Sequence, residues 1–318
     1  MRSDLLVSVG VVDLGGPAQT VPRLIALAEG LAAAFRYFEV LYVLPERRRH
    51  ELDPLAADLA RLPNLRVLLS GEGAGVYRQR LLAASEAIGD VVALLDLDDL
   101  PVADLALRLA EAHDHRRVLL GWATGRRAGR LSYSLLGIVS RNYLTAQATR
   151  TIIIPRDLLG PIVARRSAAL DLRFEPRSTP TRYVPMPVTP QGRRNGRMLH
   201  RGELFTEILL CGAPRFLKAY AAIGFGVALG SLLYAFYAVA IILFRSHVQE
   251  GWFTTAIAQA GTTGFIAGGM SIMSIAFVSI YERLHVDDDR SLVDEISNTS
   301  FFDKVTDRNV ELSAAEDA

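Results

Sequence analysis

The chain has one cysteine, Cys211, in 318 residues, so no intrachain disulfide can form. That scarcity fits a reducing compartment. No Cys/His cluster has zinc spacing, and no Walker A sequence or nucleophile elbow is present. A dinucleotide fold is disfavoured as well. The first strand-like run continues as VVDLGGP instead of G-x-G-x-x-G, and GEGAG at Gly71–Gly75 has the wrong spacing. The opening MRSDLLVSVGVV is too short and too β-branched to read as a signal peptide.

Charge of one sign is missing from a long stretch. From His115 to Gly202 there is no lysine and there are three acids, Asp157, Asp171 and Glu175, against 17 arginines, leaving about +14. The overall formal charge of +1 conceals this, because the segment from 282 to 318 reads as an acidic tail, either disordered or packed on a neighbouring subunit. Ordinary surfaces mix both signs, so such a block calls for an anionic partner: phosphates or an anionic membrane surface. Few aromatics interleave with the arginines, so base stacking is not supported and nucleic acid is not an expected partner.

Charge of either sign is absent from 219–244 and 253–281. Each run is long enough at about 1.5 Å per residue to cross a hydrocarbon core of about 30 Å. The short linker from Arg245 to Trp252 makes the pair an antiparallel hairpin. Its flanks then share one side, and the arginine block with Arg215 and Lys218 places that side, with both termini, in the cytoplasm of an inner or plasma membrane. Gly224, Gly226 and Gly230, and Gly261, Gly264 and Gly268, permit close helix contact within the hairpin or in a homo-oligomer. Residues 201–218 read either as an interfacial helix on the membrane or as an amphipathic helix of the preceding domain.

What the first 120 residues do contain is alternation. Strand-like runs at Leu5–Val12, Phe38–Val43, Leu65–Leu69, Val91–Leu95 and Val118–Leu120 alternate with helical patterns at Thr20–Phe35, Gly75–Ala87 and Val102–Ala112, with Thr20 as a candidate N-cap. This predicts an α/β domain over residues 1–200, a mostly parallel sheet flanked by helices. The run Val91–Leu95 ends in Asp96, Leu97, Asp98, Asp99. Ligands bind beyond the carboxyl ends of such strands, and Asp96 and Asp98 would put two hard oxygen ligands there, suited to Mg²⁺ or Mn²⁺ carrying phosphate. The same residues also read as an acidic strand-to-loop junction, with Asp99 capping the next helix.

The ordered segments resemble the family 2 glycosyltransferases of GT-A fold, and more narrowly the membrane-bound polyprenyl-phosphate glycosyltransferases related to dolichyl-phosphate mannose synthase. The likeness lies in FRYFEVLYV (Phe35–Val43), SEAIGDVVALLDLDDLP (Ser85–Pro101) and VPMPVTPQGRRNGR (Val184–Arg197), then in APRFLKAYAAIGFGVALGSLLY and Gly251–Trp252 at the hairpin. It implies a nucleotide-sugar donor bound over Asp96 and Asp98 through Mg²⁺ or Mn²⁺, and a polyprenyl phosphate as acceptor, in the supply of sugars for envelope polysaccharide. By position in the family pattern, Arg126, Arg127, Arg130 and Arg141 are candidates for the acceptor phosphate, with Arg193, Arg194 and Arg197 as a second set. Attraction to anionic headgroups alone is the other reading of these arginines.

The pattern also departs from the family. P-x-Y-N-E after the first strand is VDLGG here, and D-D-G-S after the second is LPER, leaving Asp13 and Glu46 as partial substitutes in donor binding. No acid lies between His115 and Arg156, where many relatives carry a catalytic carboxylate. A phosphate monoester, with a second pKa of about 6, needs no base to attack, so this absence argues against a sugar-hydroxyl acceptor. Q-x-x-R-W is absent too, which sets aside a processive synthase. The lost donor motifs leave a rival: a fold retained without catalysis, serving as a binding or assembly partner.

Overall fold

The computed structural model describes residues 2–99, 102–123, 137, 140–145, 147–177, 181–188, 197–245, 249–287 and 292–298. The chain divides into two compact units, Met1–Leu209 with Arg290–Ala318, and Leu210–Asp289.

In the first unit the elements run β1 (Arg2–Val12), α1 (Pro17–Ala34), β2 (Phe35–Pro45), 3₁₀ turns at Glu46–Glu51 and Asp53–Leu55, α2 (Ala56–Ala60), β3 (Leu65–Ser70), α3 (Val76–Glu86), β4 (Val91–Leu95), α4 (Val102–Asp114) and β5 (Val118–Ala123). They continue with β6 (Ala148–Pro155), α5 (Arg156–Val163), α6 (Ala168–Asp171) and β7 (Tyr183–Val188), and close with β8 (Leu292–Asn298). The eight strands form one sheet in the order β7-β5-β6-β4-β1-β2-β3-β8. Neighbours are parallel except where β6 meets β4 and β5, and where β8 meets β3. The expected α/β architecture is therefore present. Every residue of β4 is buried, which is why this strand reads as a continuous apolar run, and Val7, Val9 and Val11 of the neighbouring β1 are buried beside it.

Gly89 and Asp90 set where β4 begins. A Cβ on Gly89 would lie 2.6 Å from the backbone nitrogen of Ser8, so only glycine passes β1 this closely. The Asp90 N–H donates to Leu6 O at 2.8 Å, and its carboxylate accepts the Leu6 N–H at 2.9 Å. Register then runs from Val7↔Val91 to Val11↔Leu95, and the chain leaves the sheet at Asp96.

Two expectations need correction. Helix α1 starts at Pro17 with Gly16 at the N-cap, not at Thr20. Proline at the first position has its φ preset and no N–H to satisfy, and Gly16 takes φ 111°, open to glycine. Thr20 lies within the first turn, where its hydroxyl bonds Asp13 and the Gly16 carbonyl. The acidic segment 282–318 also holds more structure than a tail. Its residues Leu292–Asn298 pair antiparallel with β3, from Leu65↔Asn298 to Ser70↔Leu292. Asp294 bonds Arg49 at 2.9 Å, and Glu295 takes Arg66 at 2.7 and 3.1 Å. Arg66 also bonds the buried Glu39 at 3.3 Å and the Glu86 carbonyl at 2.9 Å.

Helix α7 (Arg197–Phe244) runs unbroken through the segments expected as interfacial helix and first span, with Pro214 inside it. Helix α8 spans Trp252–Asp287. Gly202–Phe244 and Trp252–Tyr281 are long and apolar enough to cross a membrane, by length and composition. In the second unit they pack antiparallel. A Cβ on Gly224 would overlap Ser271 Oγ and lie 3.0 Å from Ala267 O, and one on Gly264 would lie 2.6 Å from Ser231 Oγ. Gly226, Gly230 and Gly261 have open space around them. Gly224 and Gly264 therefore serve the hairpin itself.

Candidate functional site

Asp96 sits at the carboxyl end of β4, flanked by β1 and β6, and is 8% exposed. The next residues fold into a tight turn. The Asp99 N–H donates to Asp96 O at 2.9 Å, and the Asp98 N–H to Asp96 Oδ1 at 3.3 Å. Thr151 of β6 ties this turn to the sheet: its Oγ1 accepts the Asp96 N–H at 3.3 Å and donates to Asp99 Oδ2 at 3.1 Å. Asp98, more open, pairs with Arg23 of α1 at 2.8 Å, and the same guanidinium reaches the Leu97 carbonyl. Two aspartates separated by one residue thus follow the carboxyl end of β4, where ligands enter an open α/β sheet.

The chemistry of this donor set fits a hard divalent cation. Among the described residues no group of three or more His, Cys, Asp or Glu gathers to hold a metal. A cation at Asp96 and Asp98 would therefore complete its shell with phosphate oxygens and water, the usual habit of Mg²⁺.

Beside Asp96 lies a group of arginines that the sequence did not mark. Arg150 of β6 stands 3.6 Å from Asp96 Oδ2. Arg80 of α3 is 2% exposed, and its Nη2 donates to Leu172 O at 3.0 Å while its Nε has no hydrogen-bond partner. Arg173 bonds the Tyr77 hydroxyl, lies 4.9 Å from the centre of the Phe174 ring, and also has a buried Nε without a partner. Burial first, then repulsion from Arg150 and Arg173, pushes the Arg80 guanidinium down to about 9, with Asp96 and Tyr77 opposing. It stays protonated at neutral pH. A charged residue on the face of α3 that carries Val76, Tyr77, Ala83 and Ala84 is the one trace of Arg80 visible in sequence.

The donor candidates are placed differently. The Asp13 carboxylate is buried and engaged on both oxygens. Oδ1 accepts the Gly16 N–H at 3.0 Å and the Thr20 hydroxyl at 2.8 Å, while Oδ2 faces Arg48 at 2.6 Å. Arg48 is held in turn by Glu51 through two bonds of 2.8 Å, which raise its already high pKa. Glu46 begins the same 3₁₀ turn, half-buried.

Of the acceptor candidates, Arg126, Arg127, Arg130, Arg193 and Arg194 lie outside the described residues, and Arg197 is the first residue of α7. Arg141 is exposed on a turn with φ 59°, next to Asn142, whose amide donates to the buried Asp171 at 2.8 Å. Burial holds the Asp171 carboxyl above the usual range, against hydrogen bonds from Asn142 and Ser167.

No family model matches the chain, and no curated protein matches it in sequence. Solved structures do align with it. Glucosyl-3-phosphoglycerate synthase from Mycobacterium tuberculosis, in complex with Mn²⁺, UDP and glucosyl-3-phosphoglycerate, is 12% identical over 65% of this chain and 78% of that one, with a TM-score of 0.43. A mannosyltransferase from Pyrobaculum calidifontis, in complex with GDP-mannose and Mn²⁺, is 14% identical over 89% and 79%, with a TM-score of 0.39. The 4-diphosphocytidyl-2C-methyl-D-erythritol synthase from Anaerococcus prevotii is 7% identical over 64% and 96%, with a TM-score of 0.42. Likenesses this distant assign no role to any residue of this chain.

Proposed function

We propose that this chain is a membrane glycosyltransferase. It moves one sugar from a nucleotide-sugar donor to a polyprenyl phosphate at the cytoplasmic face, with Mg²⁺ or Mn²⁺ held by Asp96 and Asp98. The observation that carries this reading is the pair of aspartates that follows the central strand β4 at its carboxyl end, Asp96 buried and Asp98 more open. Two long apolar helices in the same chain supply a membrane anchor, and the arginine excess before them supports the cytoplasmic side.

A bound divalent cation would stabilise the negative charge of the departing nucleoside diphosphate. The acceptor phosphate is already largely dianionic at neutral pH, so the protein's work is to position it and not to deprotonate it. Thr151 fixes the turn that carries both aspartates. Arg141, Arg197 and the other arginines of the block are the proposed holders of the lipid phosphate, since a guanidinium offers phosphate several donors in a fixed fork.

Membranes containing the protein, supplied with labelled nucleotide sugars, test this. Asp96→Asn with Asp98→Asn should lower lipid-linked product by about 100-fold or more. An unchanged yield sinks the mechanism.

One observation favours a second reading, a non-catalytic binding or assembly partner. The Asp13–Arg48 ion pair occupies the region where the family resemblance places donor contacts. Calorimetry with UDP, GDP and Mn²⁺ separates the two, because a non-catalytic partner of this kind binds none of them.

A further inference from the structure

The two acids of the turn are held in different ways. Asp96 is buried and has its own partners, Arg150 among them. Asp98 has 37% of its side chain exposed, and its carboxylate meets a residue of another element, Arg23 of α1. One guanidinium spans two consecutive residues of the turn. Its Nη1 lies 2.8 Å from Asp98 Oδ1, and its Nη2 donates to the Leu97 carbonyl. The helix that carries it is fixed at its start, where the Asp13 carboxylate accepts the Gly16 N–H and the Thr20 hydroxyl. An exposed ion pair commonly contributes little and needs no function. This one differs in its place. It engages one of the two acids proposed as cation ligands, and it also holds the residue between them.

We infer that Arg23 and a divalent cation compete for Asp98, so that Arg23 sets how tightly the cation binds. The inference rests on the reading of Asp96 and Asp98 as cation ligands given above. Whichever oxygen of Asp98 a cation took, it would lie within a few ångströms of the guanidinium, and positive charges that close repel. Arg23 therefore leaves Asp98 as the cation enters. Its side chain is 46% exposed, so the released guanidinium passes into water. The cation's affinity is lowered by what the exposed pair is worth, roughly a factor of 1.5 to 5. A purely structural role predicts the opposite sign: if Arg23 only shaped the turn for the cation, removing it would weaken binding.

The full chain in detergent micelles is titrated with Mn²⁺, followed by electron paramagnetic resonance. Arg23→Gln should bind Mn²⁺ about two- to fivefold more tightly than the wild type. In an Asp98→Asn background the same replacement should bring no gain, because the contested carboxylate is gone. A second measurement follows Arg23 itself. Phenylglyoxal, which modifies arginine side chains, should label Arg23 several-fold faster when Mg²⁺ is saturating, read at each residue by mass spectrometry. Arg36, exposed at the amino end of β2, should keep its rate. Should Asp98→Asn bind no measurable Mn²⁺, the labelling of Arg23 decides. Unchanged or weaker Mn²⁺ binding in Arg23→Gln, a gain that persists beside Asp98→Asn, or a labelling rate that Mg²⁺ does not move overturns the inference and leaves the two acids as ligands. A wild type that binds no Mn²⁺, or binding that survives Asp96→Asn with Asp98→Asn, overturns the reading of the acids and the inference with it.

Discussion

Replacing Arg66 tests how the strand β8 is held to the sheet. Arg66 is 12% exposed and joins three carboxylates: Glu295 of β8 at 2.7 Å, Glu39 of β2 at 3.3 Å and Glu86 of α3 at 3.4 Å. Glu39 matters most for the magnitude, because its side chain is 3% exposed. Arg66→Met keeps the packing of the stem but leaves that carboxylate without its cation, a situation that costs about 3–5 kcal/mol. Glu39 still accepts the Ser8 hydroxyl and the Ile88 N–H, so the low end of that range, about 3 kcal/mol, is expected. Glu295→Gln spares Glu39 and weakens only a part-exposed pair, at about 1 kcal/mol or less. Native-state hydrogen exchange on amides of β8 reads both, since about 1.4 kcal/mol of lost protection is a tenfold faster rate. Adding Glu39→Gln to Arg66→Met should recover part of the loss, because the stranded charge is gone. An Arg66→Met variant whose β8 protection falls by less than about 1 kcal/mol, with no recovery in the double variant, refutes the reasoning.

Other perturbations follow from the same geometry. Gly224→Leu should destabilise the hairpin by roughly 1–3 kcal/mol, since its Cβ meets Ser271 and Ala267, whereas Gly226→Leu, in open space, should not. Thermal melts in detergent that rank the two alike would count against the helix packing described. Gly89→Ala should shift β4 against Ser8 and disturb the aspartates at its far end, so Mn²⁺ affinity should fall together with stability. Asp171 gives a pH test. Its folded pKa is raised by burial, so the stability tied to it is fullest below the unfolded value of about 3.9 and is lost as pH rises through the folded value. Asp171→Asn lacks that titration, so the variant should gain on the wild type between pH 4 and 7. A constant stability difference across that window contradicts it.

The sheet was legible in sequence wherever a strand is covered on both faces. Val91–Leu95 is apolar at every position because helices lie on either side, and its ends match the structure residue for residue. Asp96 and Asp98 were legible for the same reason, as the first polar residues after such a run. Strand β8 escaped notice because its acids look like a solvated tail. Only Arg49 and Arg66, more than two hundred residues earlier, show why they can lie against a sheet. That Arg150 and Arg173 lie near Arg80 was invisible for a related reason. No periodicity links the three positions, and inside a block of 17 arginines nothing local separates one that faces Asp96 from one that faces water.

The place of β8 in the chain also affects synthesis. β3 ends at Ser70, and the strand that covers its outer edge begins at Leu292, after both long apolar helices. At roughly 5–20 residues per second, the intervening stretch of about 220 residues takes on the order of 10–45 seconds to make. Until then the backbone groups of Leu65–Ser70 on that side are an open edge, the feature through which sheets pair with the wrong chain. The ribosome therefore delivers the hairpin before the sheet can close, and a nascent chain stalled between Asp287 and Leu292 would carry a finished pair of apolar helices and an unfinished sheet.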